Sequence, residues 1–189
     1  LEAMATAGAF DCFGVDRREA LWSAGAVAEA ARPNTIPGVV VGVGAPQLPG
    51  ITPVETTAAD LWATGVSPNS HAMAHLRPAL VKMGALPASA LRNVDDRTKV
   101  VVGGVVTHRQ RPATAGGTVF LNLEDETGLI NVVCSLGVWT RYRRAARGSS
   151  ALLIKGVVES ASNVINLRAE KIETLSLAIA TVPQSRDFR

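Results

Sequence analysis

The fold is decided by one stretch of strand-forming sequence, KVVVGGVV at residues 99–106 and, after a polar loop, TVFLNLEDETGLINVVC at residues 118–134. β-Branched valines fill the first segment, and such residues favour strands. Gly103 and Gly104 interrupt the valines at a position where a barrel strand would bulge or bend. The first segment therefore predicts a bent strand.

The second segment predicts two further strands joined by a turn. Apolar and polar residues alternate from Thr118 to Glu124, which is the period of a strand with one buried face. Residues 125–128 form a turn, and the next strand runs from Leu129 to Cys134. The core face of the first of these strands holds Val119, Leu121 and Leu123, and its outward face holds Phe120 and Asn122.

The sequence after Cys134 completes the pattern of a barrel. A short helix is predicted from Val138 to Ala146, and two strands then pair as a hairpin, Ala151 to Glu159 with Val164 to Glu173. Three strands, a helix and two strands are the element order of the OB fold. We therefore predict an α+β protein in which a helical N-terminal part precedes a five-stranded OB-fold β-barrel.

The first 98 residues are predicted to be helical, with an extended connector between the helices. The spacing from Asp16 to Glu19 is that of a capping box, and apolar residues follow it at helical period as far as Arg32. Five prolines and four glycines occupy residues 33–53, which excludes long regular elements there. These glycines are not followed by Gly-Lys-Ser/Thr, so they do not form a phosphate loop. Helical periodicity returns from Thr57 to Leu91.

The composition indicates a folded chain whose charge is unevenly placed. A hydrophobic content of 47% with 19% charged residues excludes a disordered chain. From Lys99 onward there are 12 basic and 7 acidic residues, whereas the first 98 residues hold 7 and 9. The basic half is thus the candidate for binding an anion. The sequence has no membrane-spanning run and no signal peptide, so we expect a cytoplasmic protein with no membrane contact.

No constellation of residues in the sequence predicts catalysis or metal binding. His71 and His75 stand at i and i+4 but lack a third ligand at a sensible spacing, and zinc normally needs three or four. The acidic run Glu124-Asp125-Glu126 lies in a tight turn, where a solvated turn is the simpler interpretation. Cys134 falls on the inward face of its strand and is expected in the core. We predict no catalytic residue, no metal site and no cofactor in this chain.

Nucleic-acid binding is better supported, and its candidate surface is the outward face of the second and third barrel strands. OB folds hold single strands across these strands, framed by the loops after the first and fourth. Phe120 could stack on a base, and the amides Asn122 and Asn131 could read base edges. The sequence leaves open whether Phe120 instead packs under a loop or a neighbouring domain. The basic residues placed to meet phosphates are Arg109 and Arg111 in the first loop, and Lys99, Lys155 and Arg168 on strands.

The densest basic cluster lies on the predicted helix between the third and fourth strands. In an OB fold this helix usually closes the bottom of the barrel, away from the binding face. We therefore interpret the cluster as a solvated helix face or a protein contact, with Trp139, Arg141 and Arg144 as the candidate contact residues. Its remaining members are Tyr142, Arg143 and Arg147.

Several stretches of the chain resemble one known family. The run from Gly104 to Gly116, followed by FLNLEDETG at residues 120–128, resembles the OB domain of bacterial C-family DNA polymerases, and above all their error-prone, damage-inducible branch. The resemblance divides the chain into five segments. They are the end of a helix-hairpin-helix region (residues 1–33), a Pro/Gly-rich connector (34–56), a helical connector (57–98), the OB domain (99–176) and a C-terminal tail (177–189).

The resemblance implies a non-catalytic C-terminal piece of a DNA-directed DNA polymerase used in translesion synthesis during the SOS response. The catalytic site of that parent enzyme, with its Mg²⁺, would lie outside this chain. The implied partners are single-stranded or primed template DNA and a catalytically inactive relative of the Y-family polymerases. The sequence around Gln47 does not match a clamp-binding motif, so the sliding clamp would be reached only through that relative. The alternative function is a protein-docking module for the same partner.

Overall fold

The computed structural model describes residues 1–32, 36, 38, 39, 42, 44–161, 164–177 and 186–188. The chain forms two compact units, which comprise residues 1–69 and 70–189. Among the described residues, no helix is both long enough and apolar enough to cross a membrane.

The described residues of the first unit form three α-helices, and capping side chains set the starts of the second and third. Asp16 accepts a hydrogen bond from Arg18 N at 2.9 Å, which caps the second helix at the predicted place. The third helix begins at Pro53, four residues before the predicted start, because Thr52 and Glu55 form a capping box. The predicted connector therefore ends inside a helix. The helices are α1 (Glu2–Thr6), α2 (Arg17–Ala30) and α3 (Pro53–Thr64).

An ion-pair cluster accompanies the small core of the first unit. The Arg17 guanidinium lies 2.6 Å from the buried carboxylate of Asp60 and 3.3 Å from the exposed carboxylate of Asp11. Asp60 also accepts a hydrogen bond from Ser67 Oγ at 2.8 Å. Gly8, at φ +75°, leaves the space that the Arg17 guanidinium fills, because a Cβ there would lie 2.5 Å from it. The buried apolar residues of this unit are Ala5, Ala20 and Ala24.

The second unit contains the barrel, and the prediction of a five-stranded OB fold is confirmed. Strands β2 to β6 correspond to the five predicted strands. The predicted single helix is divided at Tyr142 into two short ones. In chain order the elements are α4 (Ala72–Lys82), β1 (Ala85–Leu86), a 3₁₀ turn (Ala88–Asn93), β2 (Lys99–Gln110), β3 (Val119–Asp125), β4 (Gly128–Cys134), α5 (Leu136–Arg141), α6 (Arg143–Gly148), β5 (Ala151–Ala161), β6 (Val164–Thr174) and β7 (Arg186–Phe188).

The strands close into a barrel through one parallel and four antiparallel pairings. Strands β2, β3 and β4 pair in succession as an antiparallel meander, and β4 then pairs with β6 in parallel. Strand β6 pairs with β5, which returns to β2 and closes the barrel. The pairing of β2 with β5 ends at Val105. Further along, residues 108–110 of β2 pair with the short β7, an element that the sequence did not predict.

The bend of β2 differs from the one predicted at the glycine pair. Its bulge lies between Val106 and His108 rather than at Gly103–Gly104. The two glycines instead allow neighbouring elements to approach closely. A Cβ at Gly103 would lie 2.9 Å from the Leu80 side chain, and one at Gly104 would lie 2.8 Å from Leu123 Cβ.

The barrel core is formed by the inward faces of all five strands, as the alternation predicted. Cys134 is fully buried in it, which confirms the expected core cysteine. Desolvation raises the pKa of the Cys134 thiol to about 12, so this group is neutral near pH 7. The largest fully buried side chains of the barrel include Leu121, Leu123, Leu152, Ile154, Leu167 and Ile172.

Candidate nucleic-acid interface

Strand register brings three asparagines into one row across the outward face of the barrel. Asn122 pairs with Asn131 across β3 and β4, and Asn131 pairs with Asn166 across β4 and β6. Paired strands lie about 4.8 Å apart, so the row extends over about 10 Å. Each amide offers both donors and an acceptor, which suits hydrogen bonds to base edges. We refer to Asn122, Asn131 and Asn166 as the asparagine row.

Phe120 lies two residues from this row on the same outward face. It pairs with Val133 of β4, and Val133 pairs in turn with Arg168 of β6. The Phe120 ring is half-buried and does not belong to the barrel core. The face thus places an aromatic ring next to a line of amides, and both are accessible. Its role in stacking remains a prediction.

The predicted phosphate contact by Arg109 is not supported by its position. Arg109 lies on β2 rather than in the following loop, and it is 8% exposed. Its Nε donates to the carbonyl oxygen of Ala146 at 2.8 Å, and its Nη2 donates to that of Ser149 at 2.5 Å. The guanidinium therefore caps the C-terminal end of α6 inside the protein and is almost fully removed from solvent.

The other four basic residues predicted to contact phosphates differ in their availability. Lys99 forms an ion pair with Glu170 at 3.3 Å, and Arg168 forms one with Glu159 at 2.7 Å. Exposed pairs of this kind exchange readily for other anions. Arg111 and Lys155 are exposed, and neither forms an ion pair in the described part of the chain. Arg111 lies in the β2–β3 loop, as predicted.

The acidic run at the β3–β4 turn is partly buried, which corrects the prediction of a solvated turn. Asp125 is 3% exposed and accepts hydrogen bonds from five donors. Its Oδ1 accepts from Thr127 N and Thr127 Oγ1, both at 2.7 Å, and from Gly128 N at 3.1 Å. Its Oδ2 accepts from Ala88 N and from Arg77 Nη2, both at 2.8 Å. The carboxylate therefore fixes the turn and joins it to α4 and the 3₁₀ turn.

The paired histidines have local structural contacts. His71 caps α4, since its Nδ1 accepts from Met73 N at 3.1 Å. His75 Nε2 lies 3.3 Å from Ser70 Oγ. No group of three or more histidine, cysteine or carboxylate side chains suited to a metal ion occurs within the described ranges.

The predicted protein-contact residues divide between core and surface. Trp139 is half-buried and packs against the barrel core. Arg141 and Arg144 are exposed, and the Arg141 guanidinium carbon lies 5.6 Å from the centre of the Tyr142 ring.

The strand order and barrel closure define a class of protein, the OB-fold barrels. Residues 100–175 match the family described as an OB-fold nucleic acid binding domain. Over its whole length the chain is similar to a part of curated error-prone DNA polymerases. It is 53% identical over 189 residues to an error-prone DNA polymerase of Mycobacterium bovis and 50% identical over 196 residues to one of Nocardia farcinica. All of this chain is covered in both cases, and it spans 17% of the length of each relative.

Solved structures with a similar fold include two tRNA synthetases. The asparaginyl-tRNA synthetase of Pyrococcus horikoshii, complexed with asparaginyl-adenylate, has a TM-score of 0.40 and 20% identity, over 50% of this chain and 23% of that one. The aspartyl-tRNA synthetase of Entamoeba histolytica has a TM-score of 0.43 and 16% identity, over 53% of this chain and 23% of that one.

Proposed function

We propose that this chain is the non-catalytic C-terminal part of an error-prone DNA polymerase, and that its barrel binds single-stranded template DNA. The observation that carries the proposal is the asparagine row with Phe120 beside it. An aromatic ring that stacks on bases next to amides that bond their edges is the arrangement by which β-sheet surfaces hold single strands. In the parent enzyme, which would act in damage-induced translesion synthesis, Mg²⁺ and the catalytic site belong to other regions.

Phe120→Ala is expected to weaken single-strand binding by about 1–3 kcal/mol, which is the usual contribution of stacking one base on an aromatic ring. The fold should persist because Phe120 lies outside the barrel core. Fluorescence anisotropy with a labelled oligonucleotide measures the affinity, and thermal denaturation measures the stability.

Leu129→Ala is the matched control for this experiment. Leu129 is also an outward apolar residue of the sheet, 63% exposed, but it lies beside the acidic β3–β4 turn. Its replacement should leave affinity close to that of the unmodified protein. Normal binding by a Phe120→Ala variant of normal stability would show that the ring is not a stacking platform.

A second candidate function is docking of the catalytically inactive Y-family-like partner, through which the sliding clamp would be reached. The first unit favours it because large apolar side chains are exposed there: Phe13 is 75% exposed and Trp62 is 62% exposed. A groove of about 590 Å³ lies beside Trp22, lined mainly by small and apolar residues of α2. Exposed apolar surface of this kind is typical of protein contacts.

Docking by this apolar surface is expected to persist at salt concentrations that release oligonucleotides from the barrel, because phosphate contacts are strongly salt-dependent. Co-purification of the two proteins at low and high salt tests this, with Trp62→Ser as the disrupting variant. Loss of the complex at the same salt concentration as the oligonucleotide would contradict apolar docking.

A further inference from the structure

Four exposed arginines on α5 and α6 lie within a stretch of sequence that has no acidic residue. Within the described residues none of them forms an ion pair, and no aspartate or glutamate occurs anywhere from Thr127 to Val158. The Arg141 guanidinium carbon lies 5.6 Å from the centre of the Tyr142 ring. We refer to these residues as the arginine ridge: Arg141, Arg143, Arg144 and Arg147.

The arginine ridge is not explained by helix stability. Arg143 and Arg147 stand at i and i+4, and Arg144 and Arg147 at i and i+3, spacings at which like charges destabilise a helix. Arg143 and Arg144 also occupy the first turn of α6, the end at which the helix dipole disfavours positive charge. Arg141 in the last turn of α5 and Arg147 in the last turn of α6 are favourably placed. A bound polyanion would remove this repulsion.

The start of α5, the first of the two helices that carry the arginine ridge, lies at the Phe120 end of the candidate interface. Strand β4 passes from Asn131 to Val133, ends at Cys134, and is followed by α5 after one residue. The β2–β3 loop that carries Arg111 reaches the same place, since a Cβ at Gly117 would lie 3.3 Å from the Leu136 side chain of α5. The opposite end of the face carries the acidic β3–β4 turn. Charge along the face therefore attracts a phosphate backbone towards α5 and α6.

We propose that the arginine ridge binds the sugar–phosphate backbone of the same DNA strand whose bases contact the outward face of β3, β4 and β6. This inference rests on the proposed function and extends the site beyond the sheet. Arginine suits this role because its planar guanidinium bonds two phosphate oxygens at once. A strand long enough to leave the sheet should gain affinity from the arginine ridge, whereas a short one confined to the sheet should not.

The test compares Arg144→Ala/Arg147→Ala with Lys82→Ala/Arg92→Ala in the full chain. All four residues are exposed and unpaired in the described part of the molecule, and both double variants have the same net charge. Affinity is measured by anisotropy for oligothymidylates of about 5 and about 15 nucleotides, which lie near the two ends of the range of OB-fold site sizes, about 4–16 nucleotides. For the long oligomer the ridge variant should bind on the order of tenfold more weakly, as for two exposed ion pairs. Its salt slope should fall by about 1.4, since each phosphate contact on a single strand contributes about 0.7.

The outcomes distinguish this inference from the function on which it rests. Unchanged binding of the short oligomer by the ridge variant, with the control variant normal on both, supports the extension. If the unmodified protein binds neither oligomer, the proposed function itself is wrong. If both oligomers bind but the ridge variant loses nothing on the long one, only the extension is wrong. Loss of partner co-purification without loss of DNA binding would make the ridge a protein contact and would also overturn the proposal.

Discussion

Replacing Asp125 with alanine is expected to lower the free energy of unfolding of the barrel by about 3–5 kcal/mol, the usual cost of breaking a buried ion pair from one side. The substitution leaves the backbone N–H groups of Ala88, Thr127 and Gly128 without their acceptor. It also removes one of the two carboxylates that Arg77 contacts. Because domains are stable by only about 5–15 kcal/mol, a loss of this size should be visible in any denaturation curve.

Urea denaturation followed by circular dichroism measures this effect, and Glu124→Ala provides the matched control. Glu124 is the adjacent residue and carries the same charge, but it lies on the outward face of β3. The urea midpoint of Asp125→Asn should lie between those of the two alanine variants. The amide keeps one oxygen as an acceptor, but its NH₂ group is a donor and would face the donors Arg77 and Ala88 N. A midpoint for Asp125→Ala equal to that of Glu124→Ala would show that the buried carboxylate contributes nothing.

The sequence predicted those strands in which burial of one face produces an alternation of apolar and polar residues. Strand β3 alternates because one face is buried, so the outward position of Phe120 could be read directly from its neighbours. The same alternation places Asp125 inward with Val119 and Leu121, and extending the strand by one residue would have found it. The acidic composition of the turn favoured the interpretation of a solvated loop instead.

Two features of the face depend on long-range contacts that no local pattern contains. Asn166 joins the asparagine row only because β4 and β6 pair in parallel, and this register is set by barrel closure. Arg109 points inward because the bulge between Val106 and His108 adds one residue and reverses the alternation of β2. Without the bulge, His108 would take the inward position. In the sequence, Arg109 is therefore only a basic residue near a predicted loop. Its burial could not be predicted, because the bulge is not visible in the local pattern.

Replacing Arg109 with alanine is expected to destabilise the barrel by about 3 kcal/mol or more, because each hydrogen bond from a charged donor contributes about 1.5–3 kcal/mol. The carbonyl oxygens of Ala146 and Ser149 lose these donors at the buried end of α6. Arg109→Lys keeps the charge but cannot fork to two carbonyls, so it should recover only part of the stability. Urea denaturation of both variants measures the loss.

Arg111→Ala separates this structural role from a phosphate contact, since Arg111 is exposed in the loop two residues further along the chain. Its removal should leave the urea midpoint unchanged and lower the salt slope of single-strand binding by about 0.7. Arg109→Lys, measured below its denaturation midpoint, should show the opposite pair of results: a reduced midpoint and an unchanged salt slope. Anisotropy titrations at several salt concentrations provide the slopes. A lower salt slope for Arg109→Lys, together with normal stability, would contradict this structural role. It would mean that the Arg109 guanidinium contacts the DNA and leaves its buried position when the strand binds.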